Sequence, residues 1–130
     1  MTGPTTAWTT DELDRIGRAE ELQVSSRRPD GTLRPYVTIW VVRVGDEIYV
    51  RSAYGRENGW FRRALVDPRG RVRAGRVEKD VAFVEPPGTV HPAVDAAYHA
   101  KYDRHGPEIV GTVTGTAGAA ATFRLEPLSS

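Results

Sequence analysis

The sequence contains no cysteine, and this absence excludes several chemistries at once. A chain without thiols forms no disulfide, has no cysteine nucleophile and offers no thiolate ligands to zinc or an iron–sulfur cluster. Long apolar runs are also missing, since no stretch approaches the roughly 20 residues of a membrane span. The polar segment Met1 to Thr10 has no signal-peptide pattern. We therefore expect a cytoplasmic protein with no membrane partner.

Lysine is scarce too: only two of the 18 basic residues are lysines. The net charge is +1, so basic and acidic residues nearly balance. Such a balance argues against a general nucleic-acid binder. The charge is nevertheless uneven: nine basic residues and three acidic ones lie between Arg51 and Lys79. A local field of this kind attracts an anion. The length of 130 residues predicts a single domain, 1–130, with residues 1–7 as a flexible N-terminus.

Local patterns predict an α+β fold. Thr9 and Glu12 have the spacing of a capping box, with Trp8 and Leu13 as a hydrophobic staple, so an N-terminal helix begins here and extends to about Glu21. Further helices are expected near 60–66 and near 92–102, the second opened by a proline.

Five or six antiparallel strands are expected between these helices. The β-rich run from Arg34 to Val44 predicts one long central strand, and Gly45-Asp46 predicts a two-residue hairpin into the next strand. The last strand is expected from Ala119 to Leu128. A small sheet of this kind closes into a barrel.

The segment from Ile48 to Leu65 is the richest in candidate binding groups. A strand ends in Arg51-Ser52, a glycine-containing loop follows, and Trp60-Phe61 leads into Arg62-Arg63. Guanidinium groups, a hydroxyl and backbone N–H groups are the donors that hold a phosphate. The aromatic pair offers a flat apolar surface for a ring. In the alternative interpretation, the arginines pair with surface acids and Trp60 packs in the core or a dimer.

The segments VVRVGDEIYVRS, GRENGWFRRAL and DAAYHAKY resemble the DUF2255 proteins, an uncharacterised bacterial family. That family resembles the flavin-binding split barrels, which include pyridoxamine-phosphate oxidases and deazaflavin-dependent nitroreductases. The resemblance covers Trp8 to Pro127 and implies a small split barrel, a homodimer, and a phosphorylated cofactor, FMN or F420, at the dimer interface.

The resemblance also implies roles for individual residues. Arg51 and Ser52 match the strand end that holds phosphate in the deazaflavin branch, and Trp60, Phe61, Arg62 and Arg63 match the segment that passes close to the ring. Arg56, in the loop between them, completes the predicted anion site. The basic motif of the oxidase branch is absent from the preceding strand, where Ile39-Trp40 stands instead.

Catalytic candidates are Tyr54, as a hydrogen-bond donor to a substrate, and His99, as a general acid or base. No metal site is predicted, because His91 and His99 are about 12 Å apart along a helix. Three functions follow: a flavin- or deazaflavin-dependent oxidoreductase acting on a small molecule; a cofactor-free split barrel that binds or converts a metabolite in the same cleft with Tyr54, Trp60, Arg62 and His99; and an anion or nucleic-acid binding module.

Overall fold

The structure, a computed structural model, describes residues 7–53 and 55–128. Residues 1–6, and with them most of the predicted flexible N-terminus, lie outside this description, as does the catalytic candidate Tyr54. Within the described ranges, every helix is too short or too polar to cross a membrane.

The predicted N-terminal helix is confirmed as α1, Thr10–Arg18. Thr9 Oγ1 accepts from the Glu12 N–H at 3.1 Å, and the Glu12 carboxylate accepts from the Thr9 N–H at 2.9 Å, so both bonds of the capping box form. Leu13 and Ile16 are buried below the helix. The helix ends three residues earlier than predicted because Ala19 is extended and directs the chain into the first strand.

Among the residues that the structure describes, seven strands form one antiparallel sheet, one or two more than predicted. They are β1 (Leu22–Ser26), β2 (Val37–Ile39), β3 (Val42–Val44), β4 (Glu47–Arg51), β5 (Arg69–Ala74), β6 (Val77–Val84) and β7 (Thr122–Pro127). Their spatial order is β2-β1-β5-β6-β7-β4-β3. The predicted hairpin is confirmed, since Val44 pairs with Glu47 across Gly45-Asp46.

This strand order requires the sheet to curl. β2 and β3 are its two opposite edges, yet Ile39 ends one and Val42 begins the other. Three residue steps span at most about 11 Å of chain, so the edges of a seven-stranded sheet lie within that distance of each other. The sheet is therefore rolled into a half-barrel, and the short joint at Trp40-Val41 fixes its curvature.

The same joint explains why the predicted long strand from Arg34 to Val44 is wrong. The N–H of Val41 donates to the Tyr102 hydroxyl at 3.1 Å, and its carbonyl accepts from Lys101 Nζ at 2.7 Å. Trp40 stacks on the Tyr102 ring with centroids 4.1 Å apart. Because a helix supplies these partners, the strand ladder stops here and resumes at the opposite edge.

The described part of the chain contains four further α-helices: α2 (Gly59–Val66), α3 (His91–Tyr102), α4 (Pro107–Val110) and α5 (Gly115–Ala120). The first two agree with the predicted helices to within one residue. The short α4 and α5 were not predicted. Since α5 occupies the small-residue run, the last strand begins at Thr122 rather than at Ala119.

Alternation along β4 divides its side chains between two cores. Ile48 and Val50 point into the barrel, where the main core includes α1, Trp60 and Phe61. Tyr49 points outward into a second core with Tyr98 and other residues of α3. Because side chains alternate with period two, Arg51 faces the same side as Tyr49.

Candidate functional site

Arg51 is a fully buried arginine, with only 1% of its surface exposed. Its Nε donates to Thr122 Oγ1 at 2.9 Å, and Nη1 donates both to the Val113 carbonyl at 2.9 Å and to the Asp95 carboxylate. Nη2 lies 3.2 Å from His91 Nδ1. Four of the five guanidinium N–H groups thus have protein partners, and Arg51 joins β4 to α3, β7 and the segment between α4 and α5.

His91 is the histidine in contact with this guanidinium. Burial, followed by the charge of Arg51, lowers the pKa of His91 below its ordinary value, although Asp95 opposes the shift. A neutral imidazole accepts through one ring nitrogen, and arginine is always a donor, so Nδ1 is the acceptor in this pair. The buried cation is balanced by the carboxylate of Asp95, whose side chain is 32% exposed.

Gly118 lets α5 approach this network closely. A Cβ at position 118 would lie 2.4 Å from the Val113 carbonyl oxygen and 3.2 Å from Arg51 Nη1. Glycine at this position therefore permits the short distance between the Val113 carbonyl and the guanidinium, and the Gly118 carbonyl itself accepts from Thr122 Oγ1 at 2.8 Å.

An apolar cleft of about 240 Å³ opens beside Arg51. Its walls come from β2 and the joint that follows, from the end of β4, from the start of α2 and from the α4–α5 region. The residues that line it are Val37, Thr38, Ile39, Trp40, Arg51, Ala53, Asn58, Trp60, Ile109, Thr112 and Val113. We call this space the apolar cleft. Val37 and Ile109 at its edge are 37% and 47% exposed.

Trp60, which lines the apolar cleft, carries an unpartnered donor. The side chain is 4% exposed, and its Nε1 is buried with no hydrogen-bond partner among the described residues. An unsatisfied buried donor costs about 1–3 kcal/mol, which a ligand acceptor would offset. Its neighbour Phe61 is fully buried and stacks on Phe123 with centroids 4.3 Å apart, inside the barrel core.

A second cavity, of about 520 Å³, lies on the outer side of α2. It is lined by five arginines and one carboxylate: Arg27, Arg34, Arg62, Arg63, Arg69 and Asp67, together with Pro29, Gly59 and Val66. We call it the arginine cavity. Gly59 belongs to this cavity, whereas its neighbours Asn58 and Trp60 line the apolar cleft. The first turn of α2 therefore separates the two spaces.

A comparison with protein-family models decides where this chain belongs. Residues 12–125 match the model of the family described as "uncharacterized protein conserved in bacteria (DUF2255)". The chain belongs to the DUF2255 family. Among curated proteins, no relative matches it.

Solved structures share the fold of this DUF2255 protein at low sequence identity. A protein of unknown function from Agrobacterium tumefaciens is similar with a TM-score of 0.65 and 12% identity over 98% of this chain, which spans 58% of that protein's length. HutZ, the heme storage protein from Vibrio cholerae, is similar with a TM-score of 0.64 and 14% identity. The match covers 90% of this chain and 87% of the HutZ chain. An F420 reductase is similar with a TM-score of 0.54 and 16% identity, and the match covers 90% of this chain and 91% of the reductase chain. These likenesses establish the split-barrel fold.

The structure does not bring all predicted site residues of the DUF2255 chain together. Arg51 and Trp60 line the apolar cleft, Arg62 and Arg63 line the arginine cavity, and Phe61 lies in the barrel core. The predicted catalytic His99 is elsewhere: it pairs with Asp103 at 2.7 Å and lines a third, exposed cavity.

Two more of the predicted phosphate-binding residues, Ser52 and Arg56, hydrogen-bond to other parts of the protein. The Ser52 hydroxyl donates to the Gly55 carbonyl at 2.7 Å and closes the turn after β4. Arg56 donates to Glu85 at 2.7 Å and to the Ala120 carbonyl at 2.6 Å, with its guanidinium over the Phe61 ring. Both side chains thus stabilise the loop that leads to α2.

Sequence reasoning missed the partners of these residues. His91 and Asp95 lie at the start of α3, and nothing in their spacing indicates Arg51 as a partner. Arg34, in the connection before β2, gave no signal of its own. Among the described residues no group of three or more histidine, aspartate or glutamate side chains converges on a metal position.

Proposed function

We propose that this protein binds a flavin-type cofactor, FMN or F420, with its ring system in the apolar cleft, and that it acts as an oxidoreductase on a small molecule. The observation that carries this proposal is the buried, unpartnered Nε1 of Trp60, a residue that lines the mainly apolar cleft. A flavin ring combines flat apolar faces with acceptor atoms at its edge, which suits these groups. The resemblance in fold to an F420 reductase supports the same ligand class.

The protein's part in this function is to bind and orient the ring. Ile39, Trp40 and Val113 supply apolar contacts, while Trp60 supplies a donor that selects for an acceptor at the ring edge. The cofactor, when bound, supplies the hydride chemistry. Arg51 does not fit the role of principal phosphate donor, because four of its N–H groups already have protein partners. Phosphate contacts from Arg62 and Arg63 stay a prediction, as do catalytic roles for Tyr54 and His99.

Titration of the purified protein with FMN and with F420, followed by absorption and tryptophan fluorescence, tests this proposal. We expect saturable binding, and we expect Trp60→Phe to weaken it about tenfold, since one lost hydrogen bond of about 1.4 kcal/mol corresponds to that factor. Trp8→Phe is the matched control. Trp8 Nε1 already donates to the Leu125 carbonyl at 3.0 Å, so this variant should lose stability and keep its affinity.

A second candidate is a cofactor-free split barrel that binds a small metabolite. The volume of the apolar cleft favours it, because about 240 Å³ is below the roughly 300–1,000 Å³ of most small-molecule sites. The internal pairing of Arg51 points the same way. A folded wild-type protein that binds neither FMN nor F420 at millimolar concentration would reject the first proposal and leave this one.

A further inference from the structure

The arginine cavity has more positive charge than its own carboxylates neutralise. Arg27 pairs with Asp80 at 3.0 Å, and Arg69 contacts Asp67 at 3.5 Å. The other three guanidinium groups, those of Arg34, Arg62 and Arg63, have no carboxylate within ion-pair distance among the residues that the structure describes. Like charges that share one cavity repel each other, so an anion would stabilise this arrangement.

One of these cations is also partly desolvated. Arg34 Nε is buried and has no hydrogen-bond partner within the described ranges. A buried donor on a charged group costs more when unpaired than a neutral one does. The Arg34 backbone N–H donates to the Ser26 carbonyl at 2.9 Å, which fixes this residue beside the end of β1.

The start of α2 adds hydrogen-bond donors that attract an anion, as the guanidinium groups do. Asn58, the N-cap residue, makes no side-chain capping bond, and the first turn carries no acid. Arg63 folds back toward this end, since a Cβ on Gly59 would lie 3.1 Å from its Nη1. Free N–H groups at a helix N-terminus, beside a guanidinium, favour phosphate oxygens.

We propose that the arginine cavity binds the phosphate groups of a small polyphosphorylated ligand, for example one that carries a diphosphate. Three unpaired guanidinium groups from two different segments match two or more adjacent phosphates better than a single charge. A volume of about 520 Å³ accommodates a small molecule. The inference does not rest on ring binding in the apolar cleft, because the two spaces have no lining residue in common, although Arg62 and Arg63 are also the predicted phosphate contacts of the flavin.

Calorimetric titration with inorganic pyrophosphate at low ionic strength tests the inference. We expect a dissociation constant below about 1 mM, and at least about a tenfold loss in Arg34→Gln and in the double variant Arg62→Gln/Arg63→Gln, because charge-assisted hydrogen bonds are stronger than neutral ones. Arg18→Gln is the control, since Arg18 is exposed at the end of α1 and lines neither space. The affected side chains have no protein ion pair, so circular dichroism should show folded variants.

Two results would overturn the inference: no pyrophosphate binding by the folded wild-type protein, or an equal loss of affinity in Arg18→Gln. A single-stranded oligonucleotide that binds through the same arginines more tightly than pyrophosphate would also overturn it, in favour of a nucleic-acid surface.

Two further titrations identify the source of the phosphate. If FMN binds more tightly than riboflavin and Arg62→Gln/Arg63→Gln removes the difference, the cavity holds the single phosphate of the flavin, and the polyphosphate is rejected. If pyrophosphate binds equally well to FMN-saturated protein, the ligand is a separate polyphosphate. Failure of flavin binding alone would reject the proposed function and leave the pyrophosphate result to decide this inference.

Discussion

Arg51 shows, at the scale of single residues, how a strand-end arginine can serve the fold instead of a ligand. The sequence predicted a phosphate donor because an arginine and a serine end an apolar strand. In the structure its partners lie 40 to 71 residues away along the chain, at His91, Asp95, Val113 and Thr122. Contacts at such separations leave no local pattern, so neither the pairing nor the burial of this charge was predictable.

Replacing Arg51 should strongly destabilise the protein. Arg51→Met leaves Asp95 and the Val113 carbonyl without their donor, and because the Asp95 side chain is 32% exposed we expect the lower end of the about 3–5 kcal/mol lost when a buried ion pair is broken. Arg56→Met removes a pair in which both side chains are 43–51% exposed, for which we expect about 1 kcal/mol or less. Urea unfolding measures both values. Equal losses would contradict the structural role of Arg51.

Gly118 is expected to tolerate no side chain. Gly118→Ala places a methyl group 2.4 Å from the Val113 carbonyl, so the segment before α5 must move away from Arg51, at a cost of about 1–3 kcal/mol. Gly88→Ala is the control, because a Cβ there meets no atom within 4 Å. Thermal unfolding compares the two, and the prediction fails if both variants melt together.

At the scale of elements, local signals predicted α1, α2, α3 and the β3–β4 hairpin because each depends on neighbours in sequence. Caps, turns and amphipathic spacing are properties of this kind. The long strand from Arg34 to Val44 failed for the opposite reason. Its break at Val41 is made by Tyr102 and Lys101, side chains about 60 residues further along the chain.

The contact between α3 and β4 should make stability depend on pH. Because the pKa of His91 is lowered in the folded state, the unfolded chain takes up a proton there first as the pH falls below about 6.5. The stability that neutral His91 contributes is fully present above about pH 6.5. It is lost as the pH falls from there toward the pKa of His91 in the folded protein. His91→Gln keeps an acceptor for Arg51 and should remove this part of the decline.

We propose to measure the free energy of unfolding in urea between pH 7.5 and 5, which brackets the ordinary histidine pKa of about 6.5. The difference in this free energy between wild type and His91→Gln isolates the contribution of His91. His99→Gln serves as the control, since His99 lies on the surface beside Asp103 and does not touch Arg51. A difference that is flat with pH, or one that His99→Gln reproduces, would contradict the assignment.

At the scale of the whole molecule, closure of the sheet creates the apolar cleft. The two-residue joint between β2 and β3 brings the edges of the half-barrel together, and Ile39 and Trp40 at this joint form part of the cleft wall. The resemblance to split barrels predicted this architecture, while the strand order follows from long-range pairing. The split between an apolar cleft and an arginine cavity on the two sides of α2 was not predictable from one continuous segment.

The small, open cleft leads us to predict that a second copy of the chain completes it. Val37 and Ile109 at its edge are 37% and 47% exposed, and apolar side chains beside a ligand cleft favour a dimer interface. Light scattering should give a mass about twice the 14.3 kDa of one chain.

Ile109→Glu should shift the protein to monomers and weaken FMN binding about tenfold or more, because the charge must be desolvated at the interface. Leu65→Glu, at a residue 38% exposed on α2 and outside both spaces, should change neither property. A monomeric wild type, or dissociation caused equally by Leu65→Glu, would contradict the dimer and leave the cleft to be completed within one chain.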